Sequence, residues 1–211
     1  MPQQQKQARV FVIAGLGYGD EGKGTTVDWL ARRHATGGDV VCVRYNGGAQ
    51  AAHNVVLPEG THHTFSQLGS ATLAGSKTFL STHMVVNPLA MLVESDVLAG
   101  LPHPISIGDP LARAYVDEAA LVTTRFHIAA NRVRELIKGA RHTHGSCGMG
   151  VHETRLDYEL GHPSVAVGTL RHPKRLRARL EQIQEQKRVA LDVAYSQAPQ
   201  SQALEDEFSM L

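Results

Sequence analysis

Cysteine is scarce in this chain of 211 residues: Cys42 lies in an apolar run, Cys147 in a glycine-rich stretch, and there are no others. Neither belongs to a C-x-x-C spacing or a framework of paired cysteines, which excludes a disulfide-stapled secreted domain and points to a reducing cytoplasm. Excess charge is also lacking, the formal net charge being +1. That argues against a general nucleic-acid surface or an acidic-membrane surface, so any polyanion site has to be local. No apolar run approaches the roughly 18 residues a membrane span requires. The start from Met1 to Lys6 is polar and Gln-rich, with no apolar leader core. Internal repeats are absent as well.

What is present is an ordinary globular composition, 42% hydrophobic and 19% charged, at a length that buries one good-sized core. One domain over residues 1–196 is expected, with a mobile tail from Gln197, where Gln, Ser, Pro and acids dominate. Residues 10–14, Val-Phe-Val-Ile-Ala, form a continuous apolar run that meets glycines at once, as a strand buried on both faces reads. From Lys23 to about His34, Val27, Leu30 and Ala31 recur at helical spacing, with Gly37-Gly38 as a stop. Residues 40–45 make a second buried strand that ends at Gly47-Gly48. Strand, loop, helix and strand in that order predict a βαβ unit. The fold class is therefore α/β, with a mostly parallel sheet and flanking helices. Further on, Asn87-Pro88 opens a helix through Ala90, Met91 and Leu92, and residues 116–138 read as one long amphipathic helix. Residues 173–192 read as a helix whose charges, Lys187 among them, form a solvated face over Leu176, Leu180, Ile183 and Val189.

The chemistry concentrates between the first run and the first helix. The phosphate-loop pattern G-x-x-x-x-G-K fits from Gly17 to Lys23, but Gly24 follows where such a loop needs a hydroxyl to hold magnesium. Glycines at 15, 17, 19, 22 and 24 let backbone N–H groups and the helix dipole converge on an anion, and Lys23 adds a point charge. A tight turn uses glycine for steric reasons alone, so the weight falls on Asp20 and Glu21. Two carboxylates in a phosphate cradle repel phosphates unless a cation or a proton transfer requires them. Asp20 can supply the hard oxygen that Gly24 cannot, or take a proton from a substrate; the bland alternative is an acidic helix cap. Between Thr143 and Gly150, "THGSCGMG" is a loop able to bring amides to a ligand, or else a connector.

"GYGDEGKGTTVDWL" followed by "VVCVRYNGGAQAAHNVV" resembles the adenylosuccinate synthetase family, which reads W-G-D-E-G-K-G-K at the loop and R-Y-Q-G-G-x-N-A-G-H-T after the next strand. The similarity covers about residues 8–180 and is strongest up to residue 56. It implies a ligase that moves the γ-phosphoryl of GTP onto the 6-oxygen of IMP and lets aspartate displace the phosphate. Asp20 then resembles the residue that deprotonates purine N1 and ligates Mg²⁺. His53 resembles the residue that protonates or stabilises the oxygen receiving the phosphoryl group, and the Ala52 carbonyl completes the metal shell. By the same resemblance Gly19, Glu21, Gly22, Lys23, Gly24, Thr25 and Asn54 bind nucleotide, while Gln50 and Ser146 bind substrate. The implied co-substrate is GTP or ATP with Mg²⁺. The implied partners are small-molecule nucleotides and either a second copy of the chain or a second polypeptide.

The departures are specific. The family's His, Asn, Gly and Thr of the second motif are Ala49, Gln50, Ala52 and Asn54 here, and its T-T-G-R-G-I-G-P becomes residues 144–151, which lack the Thr and the Arg. Arg155 is nearby but not aligned with the family's dimer-crossing Arg. Family enzymes are about twice as long, and their guanine-reading and aspartate-binding segments have no counterpart in these residues. Two readings therefore stand: an enzyme, favoured by Asp20, Lys23 and His53 occurring together, and a nucleotide-binding regulatory protein without turnover.

Overall fold

A computed structural model of the chain describes residues 8–17, 19–34, 40–102, 108–139 and 146–211. The helix stop expected at Gly37-Gly38 and the segment Thr143–Gly145 lie outside the described residues. Among the described residues the chain runs α1 (Lys23–His34), β1 (Val41–Arg44), β2 (His53–Val56), β3 (His62–Phe65), β4 (Lys77–Leu80), β5 (Val85–Val86), α2 (Pro88–Ala99), β6 (Ala114–Val116), β7 (Leu121–Val122), α3 (Arg125–Lys138), α4 (Val151–Glu159), α5 (Pro173–Gln197) and α6 (Gln202–Ser209). Strands β1, β4 and β6 form a parallel sheet in that order, with Val41 opposite Lys77 and Thr78 opposite Ala114. β2 and β3 are an antiparallel hairpin, and β5 pairs in parallel with β7. The fold is thus α/β with parallel strands and flanking helices.

Two cores hold it. One packs the hairpin, the sheet and α2 together through Val55, Phe65, Leu68, Leu80, Met84 and Leu98. The other packs α3, α5 and α6 through Phe126, Ala130, Val133, Ile183, Leu191 and Leu204. Full burial of each large apolar side chain contributes about 1.5–3 kcal/mol. The helix at Asn87-Pro88 forms as its sequence suggests, with Pro88 at the first turn and the Asn87 side chain accepting the Ala90 N–H at 3.1 Å.

Four expectations are corrected. Residues 10–14 join no sheet, and Val10 and Val12 are 84% and 87% exposed. A strand apolar on both faces needs cover on both, whereas the outer face of β1 already leaves Val41 and Val43 exposed among the described residues. The helix read over residues 116–138 begins only at Arg125. Before it, Asp117 turns the chain, its carboxylate accepting the Ala119 N–H and its carbonyl the Ala120 N–H. Leu121 and Val122 then pair as β7, and Thr124 with His127 forms a capping box. The segment from Gln197 was expected to be mobile. Instead it carries α6, capped by Ser201 and anchored by buried Leu204 and Leu211. Finally, Lys187 is buried and Val189 is exposed, because the inward stripe of α5 is Ile183, Lys187 and Leu191, four residues apart.

Candidate functional site

The loop ahead of α1 adopts the conformation its glycines permit. Gly19 and Gly22 have φ of 112° and 72°, and Asp20 between them is left-handed at 53°. A non-glycine residue in that region costs strain that Asp tolerates better than most, and such strain gathers at functional sites. The Asp20 side chain is exposed and makes no hydrogen bond or ion pair with any described residue. Glu21 behaves oppositely. Its carboxylate folds back to accept from the Gly17 N–H and from the Lys23 ammonium. The hydrogen bond from Lys23, then that from Gly17, holds the Glu21 carboxyl below the usual range. The loop's amide at Gly17 and the Lys23 ammonium are thus already engaged by an anionic group of the loop itself.

Gly24 answers the question raised by the missing hydroxyl. A Cβ at this position would lie 2.9 Å from the His53 Cβ and 3.0 Å from the Asn54 carbonyl oxygen. The start of α1 therefore rests directly on β2, and Thr25 fixes the contact by donating to the Asn54 carbonyl at 3.1 Å. Glycine at 24 is what allows His53 to stand beside the phosphate loop.

His53 is half-buried at the start of β2. Burial, then the positive charges of Arg44 and Lys23, push its imidazole below the ordinary range, with Glu94 opposing. It is thus neutral at neutral pH in this state, and an arriving anion would reverse the sign of its surroundings. Arg44 was missed as a contributor by sequence reasoning. It alternates inward on β1, is 6% exposed, and donates to the Ser66 carbonyl. A charged residue at an inward strand position was the available signal. Glu94 balances it from α2, accepting the Ser66, Gln67 and Leu68 N–H groups at 2.9, 2.7 and 3.1 Å. Burial raises the Glu94 carboxyl, but His63 at 3.6 Å and those three amides outweigh it and bring it below the usual range.

The remaining expected residues divide. Asn54 meets the loop by its backbone, while its side-chain oxygen accepts from His62 and Thr64 across the hairpin. Gln50 folds over Gly47-Gly48 and Ala52 is exposed beside His53. A Cβ on Gly48 would lie 2.8 Å from Val151 Cγ2 and 2.9 Å from the Val85 carbonyl, so this second loop is pressed against the start of α4. Gly48, two residues before Gln50, thus abuts Val151, which directly follows the stretch Ser146–Gly150. Ser146 itself is exposed, hydrogen-bonded to Asn131. Arg155 on α4 donates to the His83 carbonyl, away from any alignment with the family's Arg.

Among the described residues no cluster of three or more His, Cys, Asp or Glu could cage a metal. Asp20 keeps an exposed carboxylate that bonds no described residue, a hard oxygen donor of the kind Mg²⁺ takes. No helix among the described residues is long and apolar enough to cross a membrane.

With this geometry in hand, comparison with known proteins is direct. The family model for adenylosuccinate synthetase matches residues 12–210. The chain is 36% identical over 187 residues to an adenylosuccinate synthetase of Haloarcula marismortui, covering 87% of this chain and 37% of that protein. It is 32% identical over 179 residues to one of Nitrosomonas europaea, covering 83% and 38%. A fully ligated adenylosuccinate synthetase of Plasmodium falciparum superposes with a TM-score of 0.68 at 19% identity over 92% of this chain and 41% of that one, which bears on the fold alone. The chain spans about two fifths of the length of these relatives.

Proposed function

The chain belongs to the adenylosuccinate synthetase family, and from that premise we propose that its residues carry the phosphoryl-transfer half of the family reaction. In this reading a purine nucleoside monophosphate of the IMP type is activated at its 6-oxygen by the γ-phosphoryl of GTP, and an amine such as aspartate then displaces the phosphate. Family membership favours GTP over ATP and a homodimer over a second polypeptide. The observation that carries the proposal is the approach of Gly24 to His53, which sets an imidazole against a loop already closed on an anion.

Each residue then has a separable task. Asp20, unpaired and held left-handed, accepts the proton from purine N1, turning a poor oxo nucleophile into a good one. Asp20 and the Ala52 carbonyl would hold Mg²⁺, whose chemistry is to neutralise charge on the phosphates. Lys23 exchanges Glu21 for a phosphate oxygen. His53 is neutral at rest, donates an N–H to the accepting oxygen, and gains charge as anionic oxygens gather around it. Gln50 and the stretch from Ser146 to Gly150 hold the nucleotide substrate.

The test is to follow phosphate release from GTP and Mg²⁺ with the chain alone, with IMP, and with IMP plus aspartate. Release that requires IMP is the expected result. GTP binding without release under all three conditions would leave the turnover-free binding protein as the better reading.

A further inference from the structure

Helix α2 turns apolar residues to water and buries polar ones, the reverse of what a surface helix normally does. Its buried face carries Glu94 and Ser95 beside Met91 and Leu98. Leu89, Leu92, Val93 and Val97 are meanwhile 69%, 52%, 64% and 50% exposed. These four recur at three- and four-residue spacing, so they form one stripe along the helix. The stripe lies on the far side of α2 from Glu94, whose carboxylate is held by the amides of residues 66–68. None of the four joins a hydrophobic cluster among the described residues. Asp96 is the one charged residue on that side, and no Lys or Arg occurs from Pro88 to Ala99.

The composition of the stripe selects its partner. A helix that lies on a membrane surface presents a basic face to the lipid headgroups, and α2 has no cation to present. A strongly charged partner would find one carboxylate and no other counter-charge. A two-fold contact instead asks for residues that can face their own copies, which like charges cannot do and apolar side chains can. With antiparallel axes crossing at Val93, Val93 faces Val93 and Leu89 faces Val97 of the second copy. Asp96 then faces Ala90, and the two Asp96 residues stand about 9 Å apart along the axis. We infer that the outer face of α2 is the contact surface of a reversible dimer of this chain. The inference rests on α2 and not on the proposed reaction. The stripe offers roughly 400 Å² per copy, against about 800 Å² from each partner in a standard interface. That places the contact at the weak end, with a dissociation constant on the order of 10–100 µM.

Sedimentation over a concentration series should show a monomer–dimer equilibrium that added NaCl does not weaken, since no ion pair holds it. Val93→Glu sets two carboxylates against each other at the two-fold and should raise the dissociation constant about 100-fold or more. Its urea midpoint in dilute solution should stay at the wild-type value, because the side chain is exposed. A cysteine reports which face is used. Packed helix axes bring the Cα atoms at the two-fold to within about 6 Å, inside disulfide reach. With Cys147→Ser as background, the remaining cysteine, Cys42, is buried. In that background Val93→Cys should oxidise to a linked dimer, whereas Val189→Cys, 65% exposed on α5, should not. A chain still monomeric at about 1 mM, ten times the weakest dissociation constant expected, overturns the inference. A dimer that survives Val93→Glu overturns it too, because another face then holds the copies together. A dimer dissolved by salt points to a charged contact, and equal cross-linking at both cysteines points to random collision; either result overturns the assignment to α2.

Discussion

Replacing Gly24 with alanine tests the contact on which the catalytic reading depends. The new Cβ would sit 2.9 Å from the His53 Cβ and 3.0 Å from two backbone atoms, the His53 carbonyl carbon and the Asn54 carbonyl oxygen. Carbon pairs rest at about 3.5–4.0 Å, so α1 and β2 must separate by several tenths of an ångström, and neither backbone atom can swing aside. Overpacking of this kind costs about 1–3 kcal/mol, while exchanging glycine for alanine in a helix returns up to about 1 kcal/mol. The net loss is about 1 kcal/mol, small against a typical stability of about 5–15 kcal/mol, so the protein stays folded. Catalysis should suffer more, because a misplacement of about 1 Å can cost about 10²-fold in rate. Urea unfolding would show a modestly lowered midpoint with the slope unchanged, and IMP-dependent phosphate release should fall well beyond what that loss explains. Gly24→Ser should fall equally, since its hydroxyl comes with the same Cβ. An alanine variant that is more stable than wild type and equally active would refute the claim that α1 rests on His53.

Asp20→Asn keeps size but cannot take the N1 proton, and His53→Asn removes the imidazole; each should lower phosphate release about 10²–10⁴-fold with GTP binding near wild type in a filter or fluorescence assay. Lys23→Ala should weaken GTP binding and leave the urea midpoint unchanged, its ion pair with Glu21 being a surface one. Lys187→Met takes the buried ammonium from Glu153, which keeps Arg134, and from Asp157, which keeps His127, and at about 3 kcal/mol should lower the thermal midpoint by roughly 6–12 °C. Acid should destabilise the protein: for Asp157 burial raises the carboxyl, but hydrogen bonds from His127 and Lys187 bring it below its usual range, and Glu94 is lowered likewise. A carboxyl lowered in the folded state contributes stability above its unfolded pKa and loses it as the pH falls through the folded one. Denaturation followed between about pH 5 and 2 should therefore show a declining midpoint, and Glu94→Gln should flatten part of that decline.

How much of this was legible beforehand varied with the kind of signal. Helix α1 ran from Lys23 to His34 as its periodicity indicated, and the Asn87-Pro88 cap opened α2, because caps and 3.6-residue spacing act within a few residues. The run at 10–14 failed as a strand because pairing is a property of neighbours that the run itself cannot specify. The helix over 116–138 was overextended for a related reason: Val116, Ala120 and Val122 fit a helical spacing, but the Asp117 carboxylate takes the Ala119 N–H and the Thr124 N–H goes to His127 Nδ1, bonds that a continuous helix would forbid. Lys187 shows the limit of charge patterning. A lysine in a charged run reads as solvated until the carboxylates of α4, about thirty residues earlier, arrive at 2.7 and 2.8 Å.

The glycine-rich loop drew attention in the sequence because its spacing is local and paired acids there are expensive. Asp20 and Glu21 side by side in that loop demanded a reason, and the structure separates them: Glu21 bonds back to Gly17 and Lys23, while Asp20 bonds no described residue. What spacing did not reveal is how the departures interlock. Gly24 abandons the metal-binding hydroxyl and admits His53, and the positive neighbours Arg44 and Lys23 keep that imidazole neutral until anions come. Each change would be damaging alone. A phosphate loop without its hydroxyl lacks a metal ligand, and a histidine beside two cations lacks a proton. In the proposed reaction both deficits would end when a triphosphate arrives with its own Mg²⁺ and its own negative charge: the binding event that displaces Glu21 would also complete the metal shell and favour the protonated imidazole.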